Sequence, residues 1–409
     1  MISLFEKHKK VKASLAFDYK GYPIQNVLAV DIIALVYKKK SFNVRQLINL
    51  FSTRKIDIAQ EDKILFSIGN YNRADYYELL KYVRTNIKSA LLDLSSIKRS
   101  RTISFKNIVI ACRLVFFNNV ELDFSSKVSL MTTMIYCFNV IDYLEKQNSS
   151  SIRSFCSFCS NLNDEAILDY YFQKQNIPTY TLQHGLYFVF DTPPIDAITY
   201  DNLIADKLLC WGQYTKDEFI KYGIDESRLV VAGYPKKISP LTVLINNNSK
   251  IRILVLFARA LFDTNNLALI SLLAKMPLDV EIDFKPHPSL SVDKYAILAS
   301  EHGFNMAPSG TIQELLNTGC YDCSISYNST AYYDSYINNC VSLRYKDKDA
   351  DNAVDVLDDG FSTIEELLVK MQLVSKSKES QELWNNIEKR LNYILGYGVN
   401  KYACLQNTN

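Results

Sequence analysis

Between residues 152 and 233 the chain alternates short apolar runs with stretches of helical length, and this alternation constrains the fold most. The apolar runs, which have the length of buried strands, are 152–160, 179–184, 207–212 and 228–233. Helices are predicted between them at 163–175 and 214–222. Strands that alternate with helices through short loops form a parallel sheet with helices on its faces. The segment therefore predicts a doubly wound α/β domain.

The same alternation begins earlier and resumes later. A strand at 63–69 ends at Gly69, and a loop through Arg73 leads to a helix at 74–87. After a polar linker the pattern restarts with strands at 252–258, 280–284, 322–327 and 340–344. The predicted organisation is an N-terminal Rossmann-like domain (1–240), a linker (241–250), a C-terminal Rossmann-like domain (251–376), and a C-terminal helix (377–409) that packs back toward the N-terminal domain. We expect the two domains to face a central cleft. Residues 1–60 give no clear pattern.

Composition excludes several classes of protein. Hydrophobic content of 48% and charged content of 22% over 409 residues are typical of a globular protein with two or three domains. The nine cysteines and the absence of a signal peptide predict a cytosolic protein with free thiols. No apolar run reaches the length of a membrane-spanning helix.

Positive charge is concentrated in residues 1–110, which hold 20 Lys and Arg against 9 Asp and Glu. No nucleic-acid recognition motif accompanies this basic block, so no nucleic-acid partner is predicted. Two interpretations stay open: a solvated basic face, and attraction to the anionic inner face of the plasma membrane.

The sequence indicates no cofactor and no metal site. Two Cys-x-x-Cys pairs, Cys156/Cys159 and Cys320/Cys323, lie in or next to predicted strands, and in an extended strand residues three apart point to opposite faces. We identify no P-loop, no Gly-x-Gly-x-x-Gly, and no Asp-x-Asp that would carry a metal-bound nucleotide sugar.

His184 is the candidate general base. It follows a predicted strand, and ligands bind at the carboxyl ends of strands in open α/β sheets. Gly185 allows close approach of a ligand, and Gln183 precedes the histidine in the same loop. A histidine has a pKa suited to accepting the proton of an attacking hydroxyl. The alternative is a core histidine bonded to backbone.

Two loops of the C-terminal domain are predicted to bind phosphate. Lys285 and His287 follow one strand and supply a cation and an N–H donor. Asn328, Ser329 and Thr330 lie between a strand and a helix, where hydroxyls and backbone N–H groups form an anion site. The alternative for these hydroxyls is a plain helix cap. Further candidate cleft residues are Gly69, Arg73, Gln183, Gly185 and Arg259.

Five segments together resemble the bacterial surface-polysaccharide glycosyltransferases of GT-B fold. They are Leu-Gln-His-Gly (182–185), Lys-Leu-Leu-Cys-Trp-Gly (207–212), Gly-Ile-Asp-Glu-Ser-Arg-Leu-Val-Val-Ala-Gly-Tyr-Pro (223–235), Lys-Pro-His-Pro (285–288) and Ser-Tyr-Asn-Ser-Thr (326–330). The group includes capsule Kdo transferases, bacterial sialyltransferases with a His-Pro motif, and CDP-glycerol glycerophosphotransferases. The resemblance covers about residues 150–345. It implies that His184 is the base and that His287, Ser329 and Thr330 bind the donor phosphate. The acidic pair that serves the sialyltransferases as base has no match here, because Asp358-Asp359-Gly360 lies in the other domain.

The resemblance implies a metal-independent glycosyltransferase that moves a sugar from a CMP-, CDP- or UDP-linked donor to a capsule, O-antigen or lipooligosaccharide acceptor. A glycan or lipid-linked glycan is thus the expected acceptor, at the cytoplasmic membrane surface. The alternatives are a CDP-polyol phosphotransferase of teichoic-acid type and a nucleotide-sugar 2-epimerase, and a non-catalytic binding protein is less favoured. Only the transferases require an acceptor.

Overall fold

The computed structural model divides the chain into two compact units. Unit 1 comprises Met1–His184, Asp191–Lys236 and Val399–Asn409, and unit 2 comprises Gly185–Phe190 and Lys237–Gly398. The structure describes residues 3–58, 63–69, 74–85, 87–147, 151–186, 197–236, 238, 240–243, 250–277, 279–317, 320–351 and 354–406.

Unit 1 is built on a parallel sheet of six strands in the described residues. In spatial order these are β5 (Ser89–Asp93), β4 (Ile64–Ile68), β7 (Ser154–Ser157), β8 (Thr179–Leu182), β9 (Lys207–Cys210) and β10 (Leu229–Val231). β4, β7 and β8 are buried throughout, as expected of a parallel sheet covered on both faces. The chain reverses its direction of progress across the sheet between β4 and β7.

Helices of unit 1 cover this sheet and extend beyond it. They are α1 (Leu4–Ser14), α2 (Ile24–Val27), α3 (Ala29–Val36), α4 (Ala74–Arg84), α5 (Phe105–Phe116), α6 (Phe124–Leu144), α7 (Asn163–Gln173), α8 (Ile198–Asp201) and α9 (Gln213–Tyr222), with 3-10 helices at Val44–Leu50, Glu226–Arg228 and Tyr402–Gln406. α6 begins at the N-cap Asp123, whose carboxylate accepts the Ser126 backbone N–H, and most of its side chains are buried.

The first 60 residues, which gave no clear pattern, form short elements. A hairpin of β1 (Asp18–Tyr19) and β2 (Tyr22–Pro23) follows α1, and β3 (Ser52–Arg54) pairs with β6 (Arg99–Arg101) in a two-stranded antiparallel sheet. Tyr19 stacks on Phe138 of α6 with ring centroids 4.2 Å apart. Packing on α6 thus gives these elements a core that local sequence does not reveal.

Unit 2 contains a second parallel sheet of six strands in its described residues. In spatial order they are β13 (Asn305–Met306), β12 (Val280–Lys285), β11 (Ile251–Leu256), β14 (Cys323–Ser326), β15 (Val341–Tyr345) and β16 (Gly360–Phe361). If β11 to β16 are renumbered 1 to 6 along the chain, the spatial order is 3-2-1-4-5-6, which is the Rossmann strand order. Its topological switch point lies between β11 and β14.

Unit 2 carries α10 (Asp263–Leu273), α11 (Val292–Glu301), α12 (Ile312–Asn317), α13 (Ala331–Ile337), α14 (Ile364–Ser377) and α15 (Gln381–Leu395), with a 3-10 helix at Ala260–Phe262. The predicted terminal helix begins later than expected, because Ser380 caps α15 through a bond from the Leu383 N–H. α15 belongs to unit 2. Its buried face there includes Trp384, Ile387 and Leu391.

The chain returns to unit 1 only at Val399. Lys401 donates its N–H to the Ala232 carbonyl at 2.9 Å, and the Tyr402 hydroxyl donates to the Gly233 carbonyl at 2.7 Å. Gly233 has φ +104, and a Cβ there would lie 1.8 Å from the Val399 carbonyl oxygen. Only glycine fits this close approach. The glycine of the Ala-Gly-Tyr-Pro segment is therefore a docking point for the C-terminal chain.

Candidate functional site

The predicted phosphate ligands lie at the carboxyl ends of three adjacent strands of unit 2. Lys285 ends β12, Arg259 follows β11, and Asn328 follows β14. The last two flank the topological switch point, the place where open α/β sheets bind ligands. Neighbouring strands are about 4.8 Å apart, so three strand ends span about 10 Å.

His287 is held in one orientation by Ser289. The Ser289 backbone N–H donates to His287 Nδ1 at 3.1 Å, and the Ser289 hydroxyl oxygen lies 2.9 Å from the same nitrogen. Because Nδ1 accepts this bond, the proton of the neutral ring is on Nε2. His287 therefore presents an N–H donor, which is what a phosphate oxygen requires.

Ser289 also joins this loop to the loop that carries Arg259. Its hydroxyl accepts the backbone N–H of Ala260 at 3.0 Å. Buried Asn266 fixes the residue before Arg259, with its side chain accepting the Ala258 N–H at 3.1 Å and donating to the Ala258 carbonyl at 3.0 Å. The exposed Arg259 guanidinium lies 5.8 Å from the centre of the Phe262 ring. Sequence reasoning missed Ser289 and Asn266, and only the Ser289 position, two residues after His287, offered a signal.

Lys285 reaches a different partner. Its ammonium donates to the Gly310 carbonyl at 2.6 Å, ahead of α12. An ammonium carries three N–H donors, so one such bond leaves donors for an anion.

Asn328 and Ser329 have defined structural roles after β14. Asn328 has φ +39, and its side chain donates to the Asp349 carbonyl and accepts the Asp351 N–H, both at 2.9 Å. It thereby ties its loop to the loop after β15. The Ser329 hydroxyl accepts the Ala331 N–H at 3.2 Å, a bond within the turn before α13 that leaves the hydroxyl hydrogen as a donor. Thr330 is the N-cap residue of α13, a helix of seven residues.

One motif was overlooked in the sequence. Asp347-Lys348-Asp349 is an Asp-x-Asp that overlaps a second one, Asp349-Ala350-Asp351, and both follow β15 at the same edge of the sheet. Asp347 accepts the Tyr327 hydroxyl at 2.8 Å and the Asn265 amide at 2.8 Å. Because carboxylates bind divalent metal ions, Asp347 and Asp349 have to be considered in any test of metal dependence.

His184 lies at the carboxyl edge of the unit 1 sheet. β8 ends at Leu182, two residues before it, and β7 is the neighbouring strand. Gly69 follows β4, on the other side of β7, so the switch point of this sheet is adjacent to the histidine strand. Arg73 lies outside the described residues.

The half-buried His184 ring forms a three-ring cluster with two aromatic side chains of unit 1, whose own centroids lie 4.9 Å apart. Its centroid lies 5.1 Å from that of Phe158 and 5.7 Å from that of Tyr76. His184 Nδ1 lies 3.4 Å from the Leu182 carbonyl oxygen, which can only accept a hydrogen bond. This contact is a hydrogen bond in the tautomer with the proton on Nδ1, and in that tautomer Nε2 holds the lone pair that a general base uses.

Gln183, the residue before the histidine, is held in place by two hydrogen bonds from Trp211. It is 1% exposed, its side-chain oxygen accepts the Trp211 N–H at 2.7 Å, and its carbonyl accepts the Trp211 indole N–H at 2.8 Å. Trp211 in turn packs edge-on against Tyr234 at 5.0 Å. Three of the segments that carry the family resemblance thus meet at one edge of the sheet. At Gly185, a Cβ would meet nothing within 4 Å in the described part of the chain.

Glu165 is a buried acid in the first turn of α7. Its carboxylate accepts the Ser67 hydroxyl at 2.7 Å and the N–H groups of Phe158 and Cys159 at 2.8 and 3.3 Å. Burial raises the pKa of Glu165 to about 7, against the opposing effect of these bonds. It connects the ends of β4 and β7 to the ring that packs on His184.

Two further observations concern the cysteines and the question of a metal site. All nine cysteines are free thiols. Within the described residues no cluster of three or more His, Cys, Asp and Glu side chains is arranged to hold a metal ion.

No family model matches the chain, and no curated protein is similar to it in sequence. Solved structures do match. The lipopolysaccharide outer core galactosyltransferase WaaB in its apo form is 12% identical, with a TM-score of 0.51 over 84% of this chain and 98% of that one. A glycosyltransferase from Rickettsia africae is 14% identical, with a TM-score of 0.50 over 86% of this chain and 100% of that one.

A UDP-N-acetylglucosamine 2-epimerase from Rickettsia bellii is 13% identical, with a TM-score of 0.46 over 82% of this chain and 96% of that one. At such identities a likeness bears on the fold alone. The likenesses to WaaB and to the Rickettsia africae protein, together with the two parallel sheets, show that the chain has a GT-B fold built from two α/β units.

Proposed function

We propose that this chain is a glycosyltransferase that moves a sugar from a nucleotide-activated donor to a cell-surface polysaccharide, without a metal ion. The observation that carries the proposal is the tautomer of His287. Its Nε2–H donor stands at the carboxyl edge of a sheet with the Rossmann strand order, next to the switch point. An anionic phosphate of a CMP-, CDP- or UDP-linked sugar fits such an edge.

His287 and Lys285 would bind the donor phosphate, with Arg259, Ser329 and Thr330 as further ligands. Positive side chains and N–H donors stabilise the negative charge that grows on the departing phosphate. They would thereby take the part that a metal ion plays in other nucleotide-sugar enzymes.

His184 would act on the acceptor. Its Nε2 takes the proton of an acceptor hydroxyl as the hydroxyl oxygen forms a bond to the anomeric carbon. The bond from that carbon to the phosphate oxygen breaks, and its electron pair leaves with the nucleotide. The Nδ1 contact to the Leu182 carbonyl supports this role, because it is a hydrogen bond only in the tautomer that has the lone pair on Nε2.

The proposal also includes the acceptor and its location in the cell. A capsule, O-antigen or lipooligosaccharide chain on a lipid carrier is the acceptor that we favour, at the cytoplasmic face of the membrane. Two fold neighbours, with TM-scores of 0.51 and 0.50, are both glycosyltransferases, which supports a transferase.

A thermal-shift screen against CMP, CDP, UDP, GDP and ADP tests the donor. A nucleotide present at about 100 times its Kd adds about 2.7 kcal/mol to the free energy of unfolding, enough to raise the Tm measurably. Product analysis with the nucleotide sugar then decides the reaction. Turnover without an acceptor would indicate an epimerase, transfer of phosphorus would indicate a polyol-phosphate transferase, and no nucleotide binding would contradict the proposal.

A further inference from the structure

Unit 1 leaves a group of large apolar side chains in contact with solvent. Phe105, Phe117 and Phe124 are 79, 80 and 75% exposed. The whole group, called here the apolar face, consists of Val44, Ile48, Phe51, Ile103, Phe105, Val109, Phe117 and Phe124. Single exposed apolar residues are ordinary, whereas a group of this size marks an interaction surface.

A backbone hydrogen bond and a ring contact link the parts of this face. The Thr102 N–H donates to the Phe51 carbonyl at 2.9 Å, so Ile103 and Phe51 are neighbours. Phe116 of α5 lies 5.9 Å from Phe124 at the start of α6, ring to ring. The face therefore runs from the 3-10 helix at Val44–Leu50 along α5 to the first turn of α6.

α5 carries apolar side chains on its buried side and on its exposed side. Ala111, Leu114 and Val115 are buried in the core of unit 1, whereas Phe105 and Val109, one turn apart, point to solvent. The exposed side thus combines apolar side chains with the cations of α5, as in a helix that lies in a membrane interface. Core packing explains the buried side of α5 and leaves the exposed apolar side chains without an explanation.

Cations surround these apolar side chains. Lys106 and Arg113 are exposed on α5 itself. Segments 38–58 and 98–127 hold twelve Lys and Arg against three Asp and Glu. Glu121 and Asp123 stand beside Phe124, and Asp123 is engaged as the cap of α6. Exposed aromatic side chains beside Lys and Arg are the pattern of a helix that lies in a membrane interface, and the net positive charge complements anionic lipid.

We propose that the apolar face inserts into the interfacial layer of an anionic lipid bilayer, with α5 parallel to the membrane plane. Binding through this face differs from binding through charge alone. Salt screens the attraction between the cations and anionic lipid, whereas apolar insertion persists. No helix in the described residues is long and apolar enough to span a bilayer. The inference rests on the proposed function for its reason, because a lipid-linked acceptor resides at a membrane surface.

Vesicle cosedimentation tests the inference, with vesicles of phosphatidylcholine and phosphatidylglycerol at low and high salt. The wild type is expected to keep part of its binding at high salt. The variant Phe105→Ser/Val109→Ser/Phe117→Ser retains every charge and is expected to lose that part, with partitioning at least about tenfold weaker. The matched control is Val292→Ser/Ile297→Ser on α11 of unit 2, whose targets are 59 and 61% exposed, and it should bind like the wild type.

A second measurement does not depend on a destabilising variant. Phe117→Trp places a reporter in the face, while Trp211 and Trp384 are buried. Phospholipids brominated on their chains should quench the new tryptophan. Absence of quenching, or salt-resistant binding by the triple serine variant, would overturn the proposal. A wild-type dimer that the triple variant dissociates in sedimentation equilibrium would assign the face to a second copy instead. The nucleotide-induced Tm shift is measured on the same samples, so failure of the membrane inference is distinguishable from failure of the proposed function.

Discussion

The carboxylate of Glu165 accepts the backbone N–H of Phe158 at 2.8 Å, and the Phe158 ring packs against His184. Ser67 of β4 donates its hydroxyl to the same carboxylate. One buried acid on α7 thus holds together the two strand ends at the switch point of unit 1 and the aromatic wall of the candidate base. Its raised pKa makes this arrangement sensitive to pH.

Replacing Glu165 with Gln should flatten the dependence of stability on pH. Burial raises the folded-state pKa from 4.5 to about 7, so between these values the folded protein retains a proton that the unfolded chain releases. This contribution to stability is complete below about pH 4.5 and is lost as pH rises through about 7. In Glu165→Gln the slope over that window should shrink by at most about 1.4 kcal/mol per pH unit.

Urea unfolding at several pH values measures that slope. Asp169, on the same helix, is also buried with a raised pKa, so part of the slope should persist. Asp169→Asn is the comparison variant. An unchanged slope in Glu165→Gln would show that the acid is ionised in the folded protein throughout the window.

Replacing His287 with Ala should weaken nucleotide binding. A hydrogen bond to a charged group contributes about 1.5–3 kcal/mol, so the Kd should rise about 10- to 100-fold. Ser289→Ala should have a smaller effect, because the backbone N–H that fixes the ring remains. His302→Ala, at an exposed position after α11, is the matched control. Isothermal titration with the nucleotide found in the screen gives the values, and an unchanged Kd for His287→Ala would refute the phosphate role.

Activity should survive removal of divalent metal. The expectation rests on the proposed use of His287, Lys285 and Arg259 in place of a cation. Initial rates with and without EDTA test it. Loss of activity that Mg²⁺ or Mn²⁺ restores would contradict the expectation and direct attention to Asp347-Lys348-Asp349, which Asp347→Asn and Asp349→Asn would then examine.

Alternating apolar and helical segments predicted the two sheets well, because buried parallel strands are continuous apolar runs. The first 60 residues were not predictable in this way. Asp31 interrupts an apolar run in the sequence, yet in α3 it is buried and pairs with Lys40 and with Asn163. Such a buried charge depends on partners that are distant in the sequence, so local pattern cannot anticipate it.

For the candidate site, the sequence located the residues at strand ends. The structure added the hydrogen bonds and packing contacts that hold their side chains. The position of His287 followed from the strand before it, whereas its tautomer depends on Ser289. Gln183 is a candidate cleft residue by position, and its side chain proves to be bonded to Trp211. Glu165 could not be recognised from sequence, since only the packing of α7 directs it to the loop after β7.

Two glycines offer a matched test of the C-terminal docking. Gly223 and Gly233 have φ +101 and +104, but a Cβ at Gly223 would meet nothing within 4 Å in the described residues, whereas one at Gly233 would clash with Val399. Gly223→Ala should cost about 1–2 kcal/mol of unfolding free energy through backbone strain alone. Gly233→Ala should cost more, and limited proteolysis should cut its C-terminal segment faster. Equal losses of stability would mean that the chain after Val399 contributes little.

Opposite tautomers distinguish the two candidate histidines. His287 accepts at Nδ1 and so carries its proton on Nε2, whereas the contact of His184 Nδ1 with the Leu182 carbonyl is a hydrogen bond in the tautomer with the lone pair on Nε2. A proton acceptor contributes in the transition state rather than in the bound ground state. The two residues should therefore differ in the kinetic step that their replacement affects.

His184→Ala should lower kcat by about 10²–10⁴-fold, the usual contribution of a general base, and leave the nucleotide Kd nearly unchanged. His184→Gln keeps the polar contact without a titratable nitrogen and should be equally slow. Phe158→Leu is the control for packing, because it removes the aromatic wall and leaves the histidine in place. Measurements of kcat, nucleotide Kd and Tm on all three variants separate chemistry from folding. A lowered Tm with proportionate loss of kcat in each of them would identify His184 as a core residue. A stable and fully active His184→Ala would remove it from the mechanism and make a carboxylate in residues 1–150 the better candidate for the base.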